Sequence, residues 1–198
     1  MSLSPAVHSF EEGSVFNEDV KIIYRDYGPK DAEPILLVQG LGGQLINWPD
    51  HLIDFLISNN FRPIVFDNRD TGLSSRLTDD RFAEGNRSKT INSTYLKYYF
   101  RLPINPPYTL NDMASDAILI LDKLDIDKTH LLGMSMGGMI AQIIAANHPE
   151  RINSFTLIAS SISAPSPLNG PTRDVRRLLM KRSANPYSTN DERIERSK

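Results

Sequence analysis

The residue with the clearest chemical potential is Ser135, at the centre of the pentapeptide Gly133-Met134-Ser135-Met136-Gly137. This G-x-S-x-G pattern follows an apolar, strand-like run and precedes a helical pattern, which is the context that a serine nucleophile requires. The flanking glycines remove Cβ atoms that would collide in a sharp turn between strand and helix. Such a turn lifts the hydroxyl above the sheet at a helix N-terminus, where backbone N–H groups favour developing negative charge. The spacing therefore predicts nucleophilic catalysis by Ser135; the structural alternative is a glycine-rich turn with an incidental serine.

A second glycine-rich segment, Gln39 to Gly43, follows the apolar run from Ile35 to Val38. Acyl transfer needs two N–H donors directed at an oxyanion, one after the nucleophile and one from a loop after an earlier strand. The sequence places those donors at Met136 and Leu41. A dinucleotide-binding loop is the competing interpretation, but the third glycine of G-x-G-x-x-G is absent. We therefore expect Leu41 and Met136 to form an oxyanion hole beside Ser135.

The elements that must position these residues alternate between strand and helix. Runs rich in β-branched and aliphatic residues predict strands at residues 20–24, 35–38, 62–66, 129–132 and 155–158. Helical patterns are present over residues 49–58, 110–124 and 136–147, and near 172–183, and the first dozen residues are interpreted as a polar lead-in. Thr109 and Asp112 have the spacing of a capping box before the second helix. This alternation predicts an α/β protein with a largely parallel sheet, in which strand 35–38 lies beside strand 129–132.

Three segments together resemble the α/β-hydrolase superfamily, and within it the serine esterases related to aclacinomycin methylesterase. They are the Gly40–Gly43 loop with Trp48-Pro49-Asp50 beyond it, Arg69-Asp70-Thr71-Gly72 after a strand, and the pentapeptide around Ser135. The resemblance extends over roughly Val20 to Ser161, and Gln39 stands where the family usually has a histidine. It implies an α/β-hydrolase fold, with a mostly parallel sheet flanked by helices. It also implies a small-molecule carboxylic ester as substrate, such as a methyl ester of a bulky hydrophobic molecule.

The histidines do not match the rest of the superfamily's catalytic machinery. The family places an acidic residue and then a histidine well beyond the serine, after later strands. The four histidines are His8, His51, His130 and His148, and we expect structural roles for all of them. His130 begins the strand that leads to the serine, so it is expected at the opposite end of the sheet. Because a serine hydroxyl without an adjacent base is a poor nucleophile, the chain by itself is expected to be inactive.

The missing acid and histidine lead to an expected domain organisation. We interpret residues 1–162 as the N-terminal part of an α/β-hydrolase core and residues 163–198 as the start of a helical cap, with truncation before the last strands. Strand 155–158 would then be an uncovered sheet edge through which the chain could associate with itself.

Composition excludes several classes of function. With 22 basic and 24 acidic side chains the net charge is −2, which gives no electrostatic footprint for nucleic acid or an anionic membrane surface. The chain has no cysteine, which excludes disulfides, thiolate metal sites and a cysteine nucleophile. No pair of histidines has metal-ligand spacing, so neither a metal nor another cofactor is expected. Without an apolar run of roughly 18 residues or a visible signal peptide, the expected location is cytoplasmic.

The leading hypothesis is a serine hydrolase that cleaves a carboxylic ester through an acyl-enzyme. Dehalogenase and epoxide-hydrolase chemistry are disfavoured because related families run them from an aspartate at the nucleophile position. Haloperoxidase-like and C–C hydrolase activities stay open as alternatives, because related families with those activities share the serine. The alternatives from other classes are a non-catalytic binding protein or inactive fragment with this fold, and a nucleotide-binding Rossmann domain.

Overall fold

A computed structural model of the chain describes residues 9–76 and 102–161, together with Ser93, Leu96, Lys97, Thr172 and Asp174. The strands are β1 (Phe10–Asn17), β2 (Val20–Tyr27), β3 (Glu33–Val38), β4 (Phe61–Phe66), β5 (Thr129–Met134) and β6 (Ile152–Ile158). The α-helices are α1 (Asp50–Ser58), α2 (Leu110–Lys123) and α3 (Met136–Asn147), and short 3₁₀ turns lie at Leu45–Asn47 and Pro149–Arg151. The cap predicted over residues 163–198, including its helix near 172–183, lies outside the continuously described ranges. Each described helix falls short of the length and apolarity that a membrane span requires.

The six strands form one sheet in the order β1-β2-β4-β3-β5-β6. The pairs β4–β3, β3–β5 and β5–β6 are parallel, whereas β1–β2 and β2–β4 are antiparallel. The five predicted strands are therefore in one sheet, and β3 lies beside β5 as expected. Because β3 and β5 are parallel neighbours, the loops that follow them leave the same edge of the sheet.

Strand β1 corrects the expectation of a polar lead-in over the first dozen residues. All eight of its residues pair with β2, from Phe10 opposite Tyr27 to Asn17 opposite Val20. Little of β1 is buried apart from Val15, and Phe16 is 63% exposed, so the strand lacks the apolar alternation that would reveal it. It is stabilised by cross-strand contacts, which a local pattern does not show.

Helices cover the sheet on both faces. Leu36 and Val38 of β3 pack into one core with α2 and α3, while Ile35 and Leu37 pack into a second core with α1. Because side chains alternate across a strand, a strand buried on both faces must be apolar throughout, which explains the run from Ile35 to Val38. Strand β6 differs: it pairs with β5, no described strand lies on its other side, and Phe155 is 49% exposed. Self-association through this edge stays a prediction.

Helix α2 begins at the predicted capping box. The Thr109 backbone N–H donates to Asp112 Oδ2 at 2.7 Å, and the Asp112 N–H donates to Thr109 Oγ1 at 3.4 Å. These two bonds satisfy N–H groups that have no partner inside the helix. The hydrogen bonds from Thr109 also hold the pKa of the Asp112 carboxyl below its usual value.

A buried ion pair joins α2 to the loop after β4. The Asp116 carboxylate accepts two hydrogen bonds from the Arg69 guanidinium, at 2.6 and 2.7 Å, and a third from the Asn17 amide of β1 at 2.7 Å. Both charged side chains are at least nine-tenths buried. The bonds to Asp116 raise the pKa of Arg69. No local pattern indicates this pair, because Asp116 lies within an otherwise apolar helix face and its partner is far away in the chain.

We expect Asp116→Ala to destabilise the chain by about 3–5 kcal/mol, because it leaves the Arg69 guanidinium buried and unpaired. Asp122→Ala, on the same helix, is the matched control. Asp122 pairs with Arg151 at 2.8 Å but is 51% exposed, so its loss is expected to cost about 0–1 kcal/mol. Guanidinium unfolding of the two variants measures both values, and equal losses would contradict the importance of the buried pair.

Candidate active site

Ser135 lies on the turn between β5 and α3, with a backbone conformation of φ 55° and ψ −119°. This is outside the regions that residues with a side chain normally occupy, and such strain is retained only where the surroundings enforce it. The sharp turn predicted for Ser135 is therefore observed. Its N–H donates to Ile158 O at 2.8 Å, which ties the turn to the end of β6.

Close backbone contacts explain the two glycines of the motif. A Cβ built on Gly137 would lie 2.1 Å from Val38 O and 2.6 Å from Gln39 O. One built on Gly133 would lie 2.6 Å from Gly137 O. Real Cβ atoms do not approach backbone atoms so closely. The first turn of α3 can therefore pack against the end of β3 only because glycine occupies these two positions. Both glycines are thus needed to seat the helix against the sheet.

The loop after β3 lies against Ser135. A Cβ on Gly40 would be 3.1 Å from Ser135 Cβ and 3.7 Å from Ser135 Oγ. The Gly43 N–H donates to Gly40 O at 3.0 Å, and Gly42 has φ 69°, so residues 40–43 form a turn with Leu41 at its second position. The Leu41 side chain is 68% exposed. This is the loop that was predicted to supply an oxyanion donor.

The second predicted donor, Met136, is the first residue of α3. The first N–H groups of a helix have no acceptor within it, so the Met136 N–H is available to a ligand beside Ser135. The structure thus brings the Leu41 loop, Ser135 and Met136 together at the carboxyl edge of the sheet. Their catalytic roles stay predictions.

The glycine-rich loop does not lead straight into a helix. A 3₁₀ turn at Leu45–Asn47 separates it from α1, which begins at Asp50. A dinucleotide pyrophosphate is bound where a strand turns directly into the N-terminus of a helix, so this geometry disfavours the Rossmann alternative.

Two of the described histidines, His130 and His148, lie far from Ser135. His130 pairs in register with Ile35 near the start of β5, roughly 16 Å along the strand from Ser135 at about 3.3 Å per residue. Its ring contacts Ser154 Oγ at 2.7 Å and Glu33 Oε1 at 3.3 Å. His148 follows the last residue of α3, at the helix end opposite Ser135.

His51 is an exposed residue in the first turn of α1, and His8 lies outside the described residues. Within the described ranges, no hydrogen bond joins a histidine to the Ser135 hydroxyl, and no three acidic or histidine side chains are grouped to hold a metal. Among the described residues, the predicted nucleophile Ser135 therefore has no imidazole in contact with its hydroxyl.

The segment after β4 contributes three buried polar residues whose contacts the sequence analysis missed. Asp67, Asn68 and Arg69 are each at most 7% exposed. Arg69 enters the sequence argument only through the resemblance of residues 69–72 to a family motif, which carries no information about hydrogen-bond partners. The signal that could have indicated them is the direct succession of three polar residues after an apolar strand.

Comparison with known proteins agrees with this geometry. A family model described as "alpha/beta hydrolase fold" matches residues 33–191. Rhodomycin D methylesterase DnrP of Streptomyces peucetius is 28% identical over 144 residues, which are 73% of this chain and 40% of that enzyme. The chain thus spans less than half the length of this curated relative, whose name agrees with the resemblance to methylesterases.

Solved structures share the fold. A structure from a study of carboxylesterases of the thaumarchaeon Nitrososphaera gargenis aligns with a TM-score of 0.62 at 21% identity, covering 90% of this chain and 54% of that one. Epoxide hydrolase A of Mycobacterium thermoresistibile aligns with a TM-score of 0.59 at 19% identity, covering 86% and 45%. At these identities the likeness shows the fold alone. Because one fold supports different chemistries, the residues of the site must decide the reaction.

Gly137→Ala should destabilise the chain by about 2–3 kcal/mol or more, since its methyl group would force α3 away from the end of β3. Gly42→Ala is the comparison: a Cβ there meets nothing within 4 Å, so only its φ of 69° opposes the substitution, at about 1 kcal/mol. Denaturant unfolding ranks the two variants. If Gly137→Ala costs no more than Gly42→Ala, the steric account of the motif is wrong.

Proposed function

Since this chain belongs to the alpha/beta hydrolase fold family, we propose that it forms the nucleophile-bearing part of a serine hydrolase acting on a carboxylic ester. The observation that carries this proposal is the strained backbone of Ser135, held between β5 and α3 beside the Gly40–Gly43 loop. Strained residues of this kind cluster at active sites. An aspartate at this position would have favoured dehalogenase or epoxide-hydrolase chemistry instead.

In the proposed acylation step, Ser135 Oγ attacks the carbonyl carbon of the ester while a base takes the hydroxyl proton. The C=O π electrons move onto the carbonyl oxygen, and the N–H groups of Leu41 and Met136 donate to that oxyanion. When the carbonyl re-forms, the bond to the alkoxy group breaks, and the alcohol leaves with the proton from the base. The acyl group remains on Ser135.

Deacylation repeats these steps with water as the nucleophile. The base takes a proton from the water, the oxyanion forms again in the same place, and the carboxylic acid leaves as Ser135 recovers its proton. The resemblance implies that an acid and a histidine located after the serine supply this base. We therefore propose that the present chain is inactive without them.

The substrate class follows from the resemblance and the methylesterase relative. DnrP is a methylesterase by name, and we propose a methyl ester of a bulky hydrophobic molecule as the substrate here. Exposed Leu41, 68% accessible, and Leu73, 39% accessible, lie in the two loops at the carboxyl edge and offer apolar contacts to such a molecule.

A binding protein that uses the same fold without catalysis is the second candidate. The specific observation in its favour is that no described histidine contacts the Ser135 hydroxyl. It predicts a folded chain with no Ser135-dependent turnover in any context.

The chain alone should turn over p-nitrophenyl butyrate no faster than its Ser135→Ala variant, because no base activates the serine. We expect a chimera that joins residues 1–161 to the C-terminal part of DnrP to gain about 10³-fold or more, and Ser135→Ala should abolish the gain. Initial rates of p-nitrophenolate release measure all four proteins.

Two other results would change the interpretation. Efficient turnover by the chain alone, lost on Ser135→Ala, would mean that one of its own histidines or a second copy supplies the base. A folded chimera that binds esters without cleaving them would favour the binding protein.

The oxyanion donor can be tested with Leu41→Pro. Proline suits the second position of a turn such as residues 40–43 but has no N–H, so it removes the donor while keeping the turn. In the chimera, we expect kcat to fall about 10²–10³-fold with a much smaller change in KM.

Leu41→Ala is the matched control, because it shortens the side chain and keeps the N–H. It should retain kcat within about tenfold of the unchanged chimera. Equal losses for the two variants would show that the Leu41 side chain, not its backbone, is important.

A further inference from the structure

The loop that bears Leu41 is attached at both of its ends to two consecutive residues after β4. At its start, the Asn68 Nδ2 group donates to Gln39 O at 3.1 Å. At its end, the Leu45 N–H donates to Asp67 Oδ1 at 2.7 Å. Leu41 lies between these two points of attachment.

The Asp67 carboxylate is itself fixed from the other side. Its Oδ2 accepts from the Leu73 N–H at 2.8 Å, and the Asp67 N–H donates to Ile23 O of β2 at 3.0 Å. A Cβ on Gly72 would lie 2.0 Å from Oδ2, so the turn at Gly72, with φ 52°, closes directly over the carboxylate. Asp67 is 1% exposed and Asn68 is 2% exposed.

Burial makes these contacts strong and directional. A buried carboxylate that accepts two backbone N–H bonds forms charge-assisted hydrogen bonds, which are stronger than those between neutral groups. If these hydrogen bonds are lost, water cannot replace them, because the carboxylate is buried. The loop is therefore coupled to β4 through side chains, in addition to its covalent link to β3.

Gln39 completes the enclosure from inside the loop. Its side chain is 1% exposed, and a Cβ on Gly43 would lie 2.7 Å from Gln39 Oε1, so the amide fills the space beneath the turn. The loop thus rests on Gln39 from within and is attached to Asp67 and Asn68 at its ends.

We propose that Asp67 and Asn68 form a two-point clamp that positions the Leu41 N–H for the oxyanion. They are positioning residues, since they act through the loop and touch no reacting atom. This inference rests on the proposed oxyanion role of Leu41, but the clamp itself is a property of the loop and can be tested without turnover.

The wild-type chain gives the first test by ¹⁵N–¹H NMR. The amide protons of Leu45 and Leu73 should both exchange with solvent more slowly than that of Leu41, because both donate to the one buried carboxylate. This measurement needs no substitution, so it stands even if a variant fails to fold.

Asp67→Asn is the second test, since an amide offers one oxygen where two N–H groups need acceptors. We expect hydrogen exchange at Gly43, whose N–H donates to Gly40 O within the loop, to become at least about tenfold faster, with Leu36 and Leu37 of β3 unchanged. Asn68→Leu, which removes the donor to Gln39, should act in the same direction. Asp19→Asn, an exposed carboxylate in the turn between β1 and β2, is the matched control and should leave loop exchange unchanged.

In the chimera, Asp67→Asn should lower kcat at least about tenfold while KM changes less than threefold, because the oxyanion donor is needed in the transition state. Rapid exchange of the Leu45 and Leu73 amides in the wild-type chain, or loop exchange that changes less than twofold in folded Asp67→Asn, would overturn the clamp. If those signals behave as expected but no Ser135-dependent turnover exists, the proposed function fails and the clamp stands.

Discussion

The approach of α3 to the end of β3 is the constraint on which the site depends. Gly137 lies so near to Val38 O that no side chain fits between them. Because the helix begins at that point, the chain must reverse within one residue, and Ser135 adopts a strained backbone conformation. The same contact places the helix N-terminus beside the Gly40–Gly43 loop, so close packing determines both the exposure of Ser135 and the position of the predicted donors.

Buried ion pairs fix both ends of β4, the strand that joins the antiparallel and parallel parts of the sheet. Arg62, at the start of β4, donates to Asp26 of β2 at 2.8 and 2.9 Å, and Arg69, after its end, donates to Asp116. Burial alone would raise the pKa of Asp26, but hydrogen bonds from Arg62 and Lys30 outweigh it and lower the pKa. Removing one member of either pair would leave a buried, unpaired charge and destabilise the fold, so both ends of β4 are fixed. The loop that carries Asp67 therefore starts from a rigid support.

Sequence reasoning succeeded where structure follows from short-range pattern. Three such features are each determined by residues that are close together in the chain: the capping box at Thr109, the run from Ile35 that is buried on both faces, and the G-x-S-x-G turn. It failed for β1 and for the partners of Asp67 and Asp116, because those contacts join residues far apart in the chain. In a sequence alone, a carboxylate that will be buried cannot be distinguished from an exposed one until its hydrogen-bond partner is known. The sharp turn at Ser135 could thus be predicted, but not the contacts of Asp67 and Asn68 with the Gly40–Gly43 loop.

The placement of β3 between β4 and β5 has a consequence for the order of folding. The contact of Thr129 Oγ1 with Pro34 O joins residues 95 positions apart, whereas β4 pairs with β3 across a much shorter stretch of chain. Closing the longer loop costs more chain entropy and slows the step that depends on it. During synthesis, β1 to β4 can assemble while β5 is still being made. The strained, exposed turn at Ser135 therefore forms late, because it requires β5 to pair with a sheet that already exists.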